Sequence, residues 1–379
     1  MNSQLLSACI RPACEEAEVR AIAGQLLDWH YTLRFARTHG LAPLLFACLR
    51  KACPEAVPSA IMQELRLLGQ SCAQNGLRYT GELISVCDAL EKAGVRVIPF
   101  KGPVLAWSLY GSPAVREMSD LDLLVQPADV PLATDALKRA GYTPRMGRAD
   151  RWFAEWNSEM QFTREGGFDV DLHWQLAPPH FQKWFPLERL SERLQNVQLP
   201  GRVVSTLSRE DLLRYLCTHA AKHGWGSLYH VADMSYLIAA GVDFDKALEQ
   251  AKEHGGVRAL LLGLALTADL TGTGHTMAIR AALEQHPEIQ PLIQTAKAVL
   301  LSSDPASKAP TTTSLFWQAK LLERAEDWAG LARSVFQPNM LDCRWLPLPR
   351  PLYPLYYLVK PCRLAVKHVV NAAANLSSQ

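Results

Sequence analysis

Two aspartates two residues apart, Asp120 and Asp122, lie in the run SDLDLLV. Side chains at i and i+2 of a strand point to the same face, with about 6.6 Å between their Cα atoms. Carboxylates held that close repel each other unless something positive lies between them, and a divalent cation with oxygen ligands is the usual something. Leu121, Leu123 and Val125 take the alternate positions, so the strand is anchored in a core by one face and presents acid on the other. A lone D-x-D is cheap to meet by chance and more often marks a solvated strand end. Here it follows Lys101-Gly102-Pro103, which stands between the mostly apolar run Val95 to Phe100 and a stretch of helical spacing, Val104 to Tyr110. Pro103 fits the first helical position, where a missing N–H costs nothing. Such a turn can offer backbone N–H groups and a helix dipole to phosphate. Glycine turn and D-x-D in that order are more specific than either alone.

A second acidic strand follows. Arg151 to Phe162 and Gly167 to Leu176 read as two strands joined by a turn at Glu165-Gly166-Gly167. In the second of them Phe168, Val170 and Leu172 face one way, and Asp169, Asp171 and His173 face the other. A solvated hairpin face would give the same alternation.

The runs KGPVLA, LYG, SDLDLLV and, farther on, DVDLHW resemble the nucleotidyltransferase family of the polymerase-β-like superfamily, and within it a poorly characterised branch with a KG…DLDLLV…DLHW signature. The resemblance extends from about Leu41 to about Gly241. It implies an α+β fold, a small mixed sheet flanked by helices. It also implies a glycine motif at Gly102 for nucleotide phosphates, metal-binding carboxylates at Asp120 and Asp122, and a third at Asp171. Asp169, on the same face, is the rival for that third place. The implied cofactors are two Mg²⁺ or Mn²⁺ ions, with an NTP donor, ATP among the candidates, and an unassigned acceptor. Lys101 and Arg116 become candidate phosphate contacts, although Arg116 could equally partner Asp120 or Glu117. In the family's helical domain a lysine and an aspartate commonly face the nucleotide, and Lys222 and Asp233 are the matching positions. Asp233 could orient the acceptor, hold that lysine, or be an exposed helix carboxylate. One departure stands out: the wider superfamily has a second Gly or a Ser where this chain has Pro103, which offers neither N–H nor hydroxyl.

The elements that must position these groups follow from periodicity. Residues 1 to 93 read as helices, with a long pattern from Pro58 to Ala93 that Gly94 stops. Residues 94–207 form the expected catalytic core, with a helix from Pro127 to Ala140, a basic loop from Arg145 to Arg151, and a helix and short strand between Leu187 and Thr206. Residues 208–302 form a helical domain that Ser208 opens as an N-cap and that breaks near Gly224 and Gly226. His219 and His223 there share a helix face at a spacing that can hold zinc, but neither HExxH nor a same-face cysteine completes the set. The break Thr271-Gly272-Thr273-Gly274 lacks a preceding strand, so it is weak as a phosphate loop. Residues 303–379 hold a linker, Ser303 to Thr313, and a Pro- and aromatic-rich tail. The tail ends in an amphipathic pattern, Pro361 to Leu376, that suits docking on the chain's own surface or peripheral attachment to a membrane or partner.

Composition narrows the classes. The 379 residues are 49% apolar and 20% charged, enough for ordinary cores. A net charge of +2, with no basic stripe interleaved with aromatics, gives no strong nucleic-acid signature. Nine scattered cysteines without a CxxC pair suit reduced thiols in a cytoplasm better than a disulfide framework. No signal peptide is visible, and the longest apolar run, Ala259 to Leu266, is far short of the ~20 residues that span a bilayer. The expected protein is a soluble, metal-dependent nucleotidyltransferase, with a non-catalytic nucleotide-binding relative as the alternative.

Overall fold

The sheet that carries the acidic strands is small and mixed. A computed structural model describes residues 2–25, 27–145, 157–166, 168–274, 276–302 and 311–376. Five helices come first: α1 (Asn2–Cys9), α2 (Glu16–Ala23), α3 (Trp29–Thr38), α4 (Ala42–Ala52) and the 34-residue α5 (Ser59–Lys92). The central region follows as β1 (Ile98–Pro99), α6 (Pro103–Ser108), β2 (Leu121–Leu124), α7 (Val130–Arg139), β3 (Thr143–Pro144), β4 (Glu159–Arg164) and β5 (Phe168–His173). The strand order is β1-β2-β5-β4-β3, with β2 and β5 parallel and every other pair antiparallel. The protein is thus of the mixed α+β class.

Register decides which side chains meet. Asp122 pairs with Asp171 across β2 and β5, and β4 sets Gln161 opposite Asp171 and Glu159 opposite His173. Because strand side chains alternate, Asp122, Asp171, His173, Gln161 and Glu159 share one face. Leu121, Leu123, Met160, Phe162, Val170 and Leu172 share the other, which is buried against α5 and α7. A one-residue slip would bury the acids and expose the leucines, so this register is strongly specified.

Beyond the sheet come α8 (Leu187–Glu192), the hairpin of β6 (Gln195–Leu199) and β7 (Arg202–Thr206), α9 (Arg209–Lys222), α10 (Tyr229–Ala239), α11 (Phe244–His254), α12 (Val257–Thr271), α13 (Met277–Glu284) and α14 (Gln290–Leu300). The segment 195–206 is therefore two strands and not one. Pro200-Gly201, with Gly201 at φ 76°, closes it as a tight turn. Last are α15 (Thr311–Lys320), α16 (Ala325–Phe336), α17 (Met340–Trp345) and α18 (Tyr356–Leu376). The expected linker 303–313 thus runs into a helix at Thr311, and its first eight residues lie outside the described ones. So do most of the basic loop, the start of the expected strand from Arg151, and Gly167 of the expected turn.

The sheet's polar face looks toward a second core, in which α1–α4 and the start of α5 pack with α9, α10, α12 and α14. Helix α5 spans both cores and clamps the loop that delivers Asp120. A Cβ on Gly76 would meet the Pro113 carbonyl oxygen at 2.5 Å, and the Tyr79 hydroxyl donates to the Ser119 carbonyl at 2.7 Å. Gly76→Leu is expected to push loop and helix apart and to cost about 2 kcal/mol or more by overpacking. Equilibrium urea unfolding checks this, and an unchanged midpoint would mean that α5 does not hold the loop. The N-terminal helices also correct an expectation: Cys14 and Cys48, with Cα atoms 6.4 Å apart, form a disulfide. Their separation of 34 residues matches no local cysteine motif, so spacing could not reveal the pair.

Candidate active site

The Asp122 carboxylate is the best-connected group on the sheet's polar face. It is 4% exposed, with Lys101 Nζ at 2.6 Å and His173 Nε2 at 3.3 Å from its Oδ1. Burial alone would raise its pKa, but the Lys101 ammonium and the His173 hydrogen bond outweigh burial and hold it down at about 2. Lys101 comes from the residue before the glycine turn, and its ammonium also lies over the Phe100 and Tyr215 rings. Gly102 adopts φ 49°, which a side chain would strain, and a Cβ there would press on the Asp120 carbonyl at 3.2 Å. Helix α6 has only six residues, Pro103 brings no N–H, and the Val104 N–H already donates to the Lys101 carbonyl at 3.0 Å. The turn therefore holds fewer backbone donors for phosphate than its sequence suggests.

Asp171 stands beside Asp122, as the register requires. Burial, with the Asp122 and Asp120 charges, pushes its carboxyl up to about 6 against the pull of His173. Gln161 Nε2 donates to its Oδ2 at 3.4 Å, while its buried Oδ1 has no partner. Asp169, its rival, lies one step outward and pairs with Arg145 at 3.2 Å, away from Asp122. Asp120 sits at the entry to β2, half-buried, with its carboxyl raised by burial and by Asp122.

Among the described residues, Asp122, Asp171 and His173 form a group whose ligand atoms all lie within 4.8 Å of one another. That group and the orphaned Asp171 Oδ1 fit a metal ion, since a buried acceptor without a partner is costly until a donor or a cation reaches it. Carboxylates suit Mg²⁺ or Mn²⁺, and the imidazole suits the softer ion of the two.

His173 was visible in the sequence as a same-face neighbour of Asp171 but carried no assigned role there. Burial would lower its pKa. The Asp122 carboxylate on Nε2 and the Glu159 carboxylate 3.2 Å from Nδ1 reverse that and raise it to about 9. In turn His173 holds Glu159 well below the usual carboxylate range against its own burial. A histidine whose folded pKa is raised contributes stability that is complete below its unfolded pKa of about 6.5 and is lost as pH rises through 9. In metal-free protein, stability is thus expected to fall by about 3 kcal/mol between pH 6.5 and 9.5 relative to His173→Gln. Urea titrations of both proteins across that window test it, and parallel curves would show that His173 is not held as a cation.

The loop before β2 and the helices across the cavity supply the remaining residues. Arg116 and Asp233, both singled out in the sequence, meet each other: Nε donates to Oδ1 at 2.9 Å and Nη2 to Oδ2 at 2.8 Å. Tyr110 donates its hydroxyl to the same carboxylate at 2.8 Å. Asp233 is 1% exposed, so it is not an exposed helix carboxylate, and it takes the hydrogen bonds of Arg116. Lys222, at the end of α9, lines the cavity. The break between α9 and α10 needs two left-handed residues, Gly224 at φ 61° and Trp225 at φ 56°. Such strain is tolerated where the surroundings over-determine it, and the Trp225 indole is fully buried. This turn brings His230 to His219 and His223, with ring centres 4.6 Å (219–223) and 5.4 Å (219–230) apart. Burial lowers the pKa of all three below that of free imidazole, so they are neutral rings on the cavity wall.

The cavity is about 890 Å³ and holds Lys101, Gly102, Arg116, Asp120, Asp122, Asp171, Lys222 and Asp233 together. That is within the range of small-molecule sites, roughly 300–1,000 Å³. A larger one of about 1580 Å³, beside α8 and α16, brings no comparable ligand cluster together among the described residues, and its Lys183 is already paired with Glu326.

A family model described as an uncharacterised nucleotidyltransferase matches residues 25–272. Among solved structures, the chain is similar to an antigenic nucleotidyltransferase-like protein from Paracoccidioides brasiliensis. Identity is 15% and the TM-score 0.32, with 62% of this chain and 94% of that one covered. No curated protein matches.

Proposed function

The chain belongs to this family of uncharacterised nucleotidyltransferases, and from that premise we propose that it transfers a nucleoside monophosphate from an NTP to an acceptor at the Asp120–Asp122–Asp171 face. The observation that carries the reading is the pairing of Asp122 with Asp171 in register, with an Asp171 oxygen left without a partner. Asp120, Asp122 and Asp171 would hold two divalent ions, Mg²⁺ or Mn²⁺, with His173 at the edge of the set. Bound there, such ions activate an attacking oxygen and stabilise a leaving one. In the reaction an acceptor oxygen forms a bond to the α-phosphorus, and the bond to the bridging oxygen breaks as pyrophosphate leaves with its electron pair. Asp171, with its raised pKa, is suited to take the acceptor's proton. Lys101 and Lys222 supply compact positive charge for the phosphates, and Gly102 lets them approach the backbone. Arg116 and Asp233 shape the wall opposite. An NTP donor would suit a reaction in the cytoplasm.

Pro103 favours a second reading, a nucleotide-binding protein that has lost turnover. Proline removes one expected phosphate donor, and the Val104 N–H is already spent within the turn. Thermal shifts of wild type and Asp120→Ala with each NTP, with and without Mg²⁺, test the main reading. A metal-dependent rise with one NTP, absent from the mutant, supports the site and names the donor. An equal rise in both proteins would remove these carboxylates from nucleotide binding. Pyrophosphate release with that NTP then separates an enzyme from a binding protein.

A further inference from the structure

The end of the chain turns its apolar side outward. Helix α16 lies on the body through Asp327, which accepts from the Trp184 indole, and through Gly330, where a Cβ would meet the His180 Cα at 2.8 Å. Trp328, Val335 and Phe336, at i, i+7 and i+8, therefore form a stripe on the opposite side, and Phe336 is 61% exposed. Helix α18 repeats the arrangement. Tyr356, Val359, Lys360 and Arg363 face inward, with the Lys360 ammonium on the Ser334 and Gln337 carbonyls and Arg363 on Asp342. Leu358, Cys362 and Val366 are left outside, Leu358 at 66% exposure. Trp345 and Leu346 between the two helices are exposed as well. The local core under this surface is small, built on Tyr353, Tyr356 and Val359. Among its described residues this unit shows more large apolar side chains than it buries, which marks an interaction surface.

Charge says what covers it. From Ala325, the start of α16, to Gln379 the sequence holds six of the chain's 39 Lys and Arg and three of its 37 Asp and Glu. Asp327 and Asp342 are buried, the latter on Arg363, and Glu326 is paired with Lys183, so the acids of this end are internally spent. Lys360 is spent inside as well, whereas Arg333 on α16 is exposed. The near-neutral total thus hides a basic, Trp- and Tyr-rich end on a slightly acidic body. Exposed aromatics and leucines with an excess of cations suit the boundary between headgroups and acyl chains of an anionic bilayer. No described helix is long and apolar enough to cross a membrane, so this surface would lie on the bilayer without spanning it.

We infer that α16–α18 and the segments joining them dock the full chain on an anionic lipid surface. The test is co-sedimentation of full-length protein with vesicles of phosphatidylcholine alone or mixed with phosphatidylserine, at low and high salt. The expected result is binding to the mixed vesicles, weakened by salt and absent with phosphatidylcholine alone. In Phe336→Ser/Leu358→Ser the bound fraction falls at least about tenfold. Both positions are exposed, so the double variant should keep the wild-type melting temperature, and Arg333→Glu provides a second, charge-based variant. Binding that survives both variants, or no binding to anionic vesicles, overturns the inference. So does a concentration-dependent dimer that the double variant abolishes without any vesicle binding, because the stripe then belongs to a second copy. Asp122→Asn should bind vesicles as wild type does, so failure of the catalytic reading and failure of this one are distinguishable.

Discussion

Asp122→Asn is expected to lower nucleotide transfer by at least about 10²–10³-fold, the size of effect seen when one contact to developing charge is removed. It should also weaken Mn²⁺ binding in the absence of nucleotide. The substitution keeps the side chain's volume and takes away the charge to which Lys101 and His173 are paired. Two cations then remain at a buried position with one counter-ion fewer. Breaking a buried pair from one side costs about 3–5 kcal/mol, because the uncompensated charge is what destabilises. The two losses can be separated. In Lys101→Met/Asp122→Asn both members of the pair are gone, so stability should recover by a large part of that cost while transfer stays lost. A double variant no more stable than the single one would show that Lys101 is not the main partner. Asp122→Asn with normal turnover and normal Mn²⁺ affinity would remove Asp122 from the metal site altogether. The wild-type pair has an acid signature too. A carboxylate held at about 2 contributes stability above its unfolded pKa of about 4, and that contribution is lost as pH falls through 2. The variant should lack it.

What could be read in the sequence was set by local period. The alternations LDLL and FDVDLH state which side chains share a face, because strand geometry allows only two. The same rule applied to EMQF would have put Glu159 and Gln161 on that face, and the signal was present without being used. A second expectation was too coarse for a similar reason: residues 195–206 alternate twice about Pro200-Gly201, which is a hairpin. Long-range partners were not legible. Lys101 beside Asp122, Glu159 beside His173 and Cys14 beside Cys48 are matters of which elements pack together, and no spacing along the chain encodes that choice. Asp169 and Asp171 could not be separated by pattern, since both obey the same alternation. Strand register separated them, by setting Asp171 opposite Asp122 and leaving Asp169 to Arg145.

Arg116 and Asp233 are 117 residues apart in sequence and make a two-bond ion pair in the interior. The pair ties the loop that delivers Asp120 to helix α10, and Tyr110 adds a third bond to the same carboxylate. Burial opposes the charge on Arg116, but Asp233 outweighs it and raises the guanidinium pKa. Asp233→Asn or Arg116→Met is therefore expected to cost about 3–5 kcal/mol, since each leaves the other charge buried and unpaired. For a chain of this size that corresponds to a fall of about 4–6 °C in melting temperature. Arg116→Met/Asp233→Leu should cost clearly less than the sum of the single changes, because contacting residues of one buried network do not behave additively. The alternative role, a direct contact with nucleotide or acceptor, makes a different pattern. It would leave the melting temperature nearly unchanged in Asp233→Asn and raise KM for the NTP or the acceptor. A carboxylate with three bonds from protein donors has little capacity left for a ligand, so the stability effect should dominate. The change in kcat should then be indirect, through Asp120 at the end of a loosened loop, and should shrink in the double variant along with the stability loss.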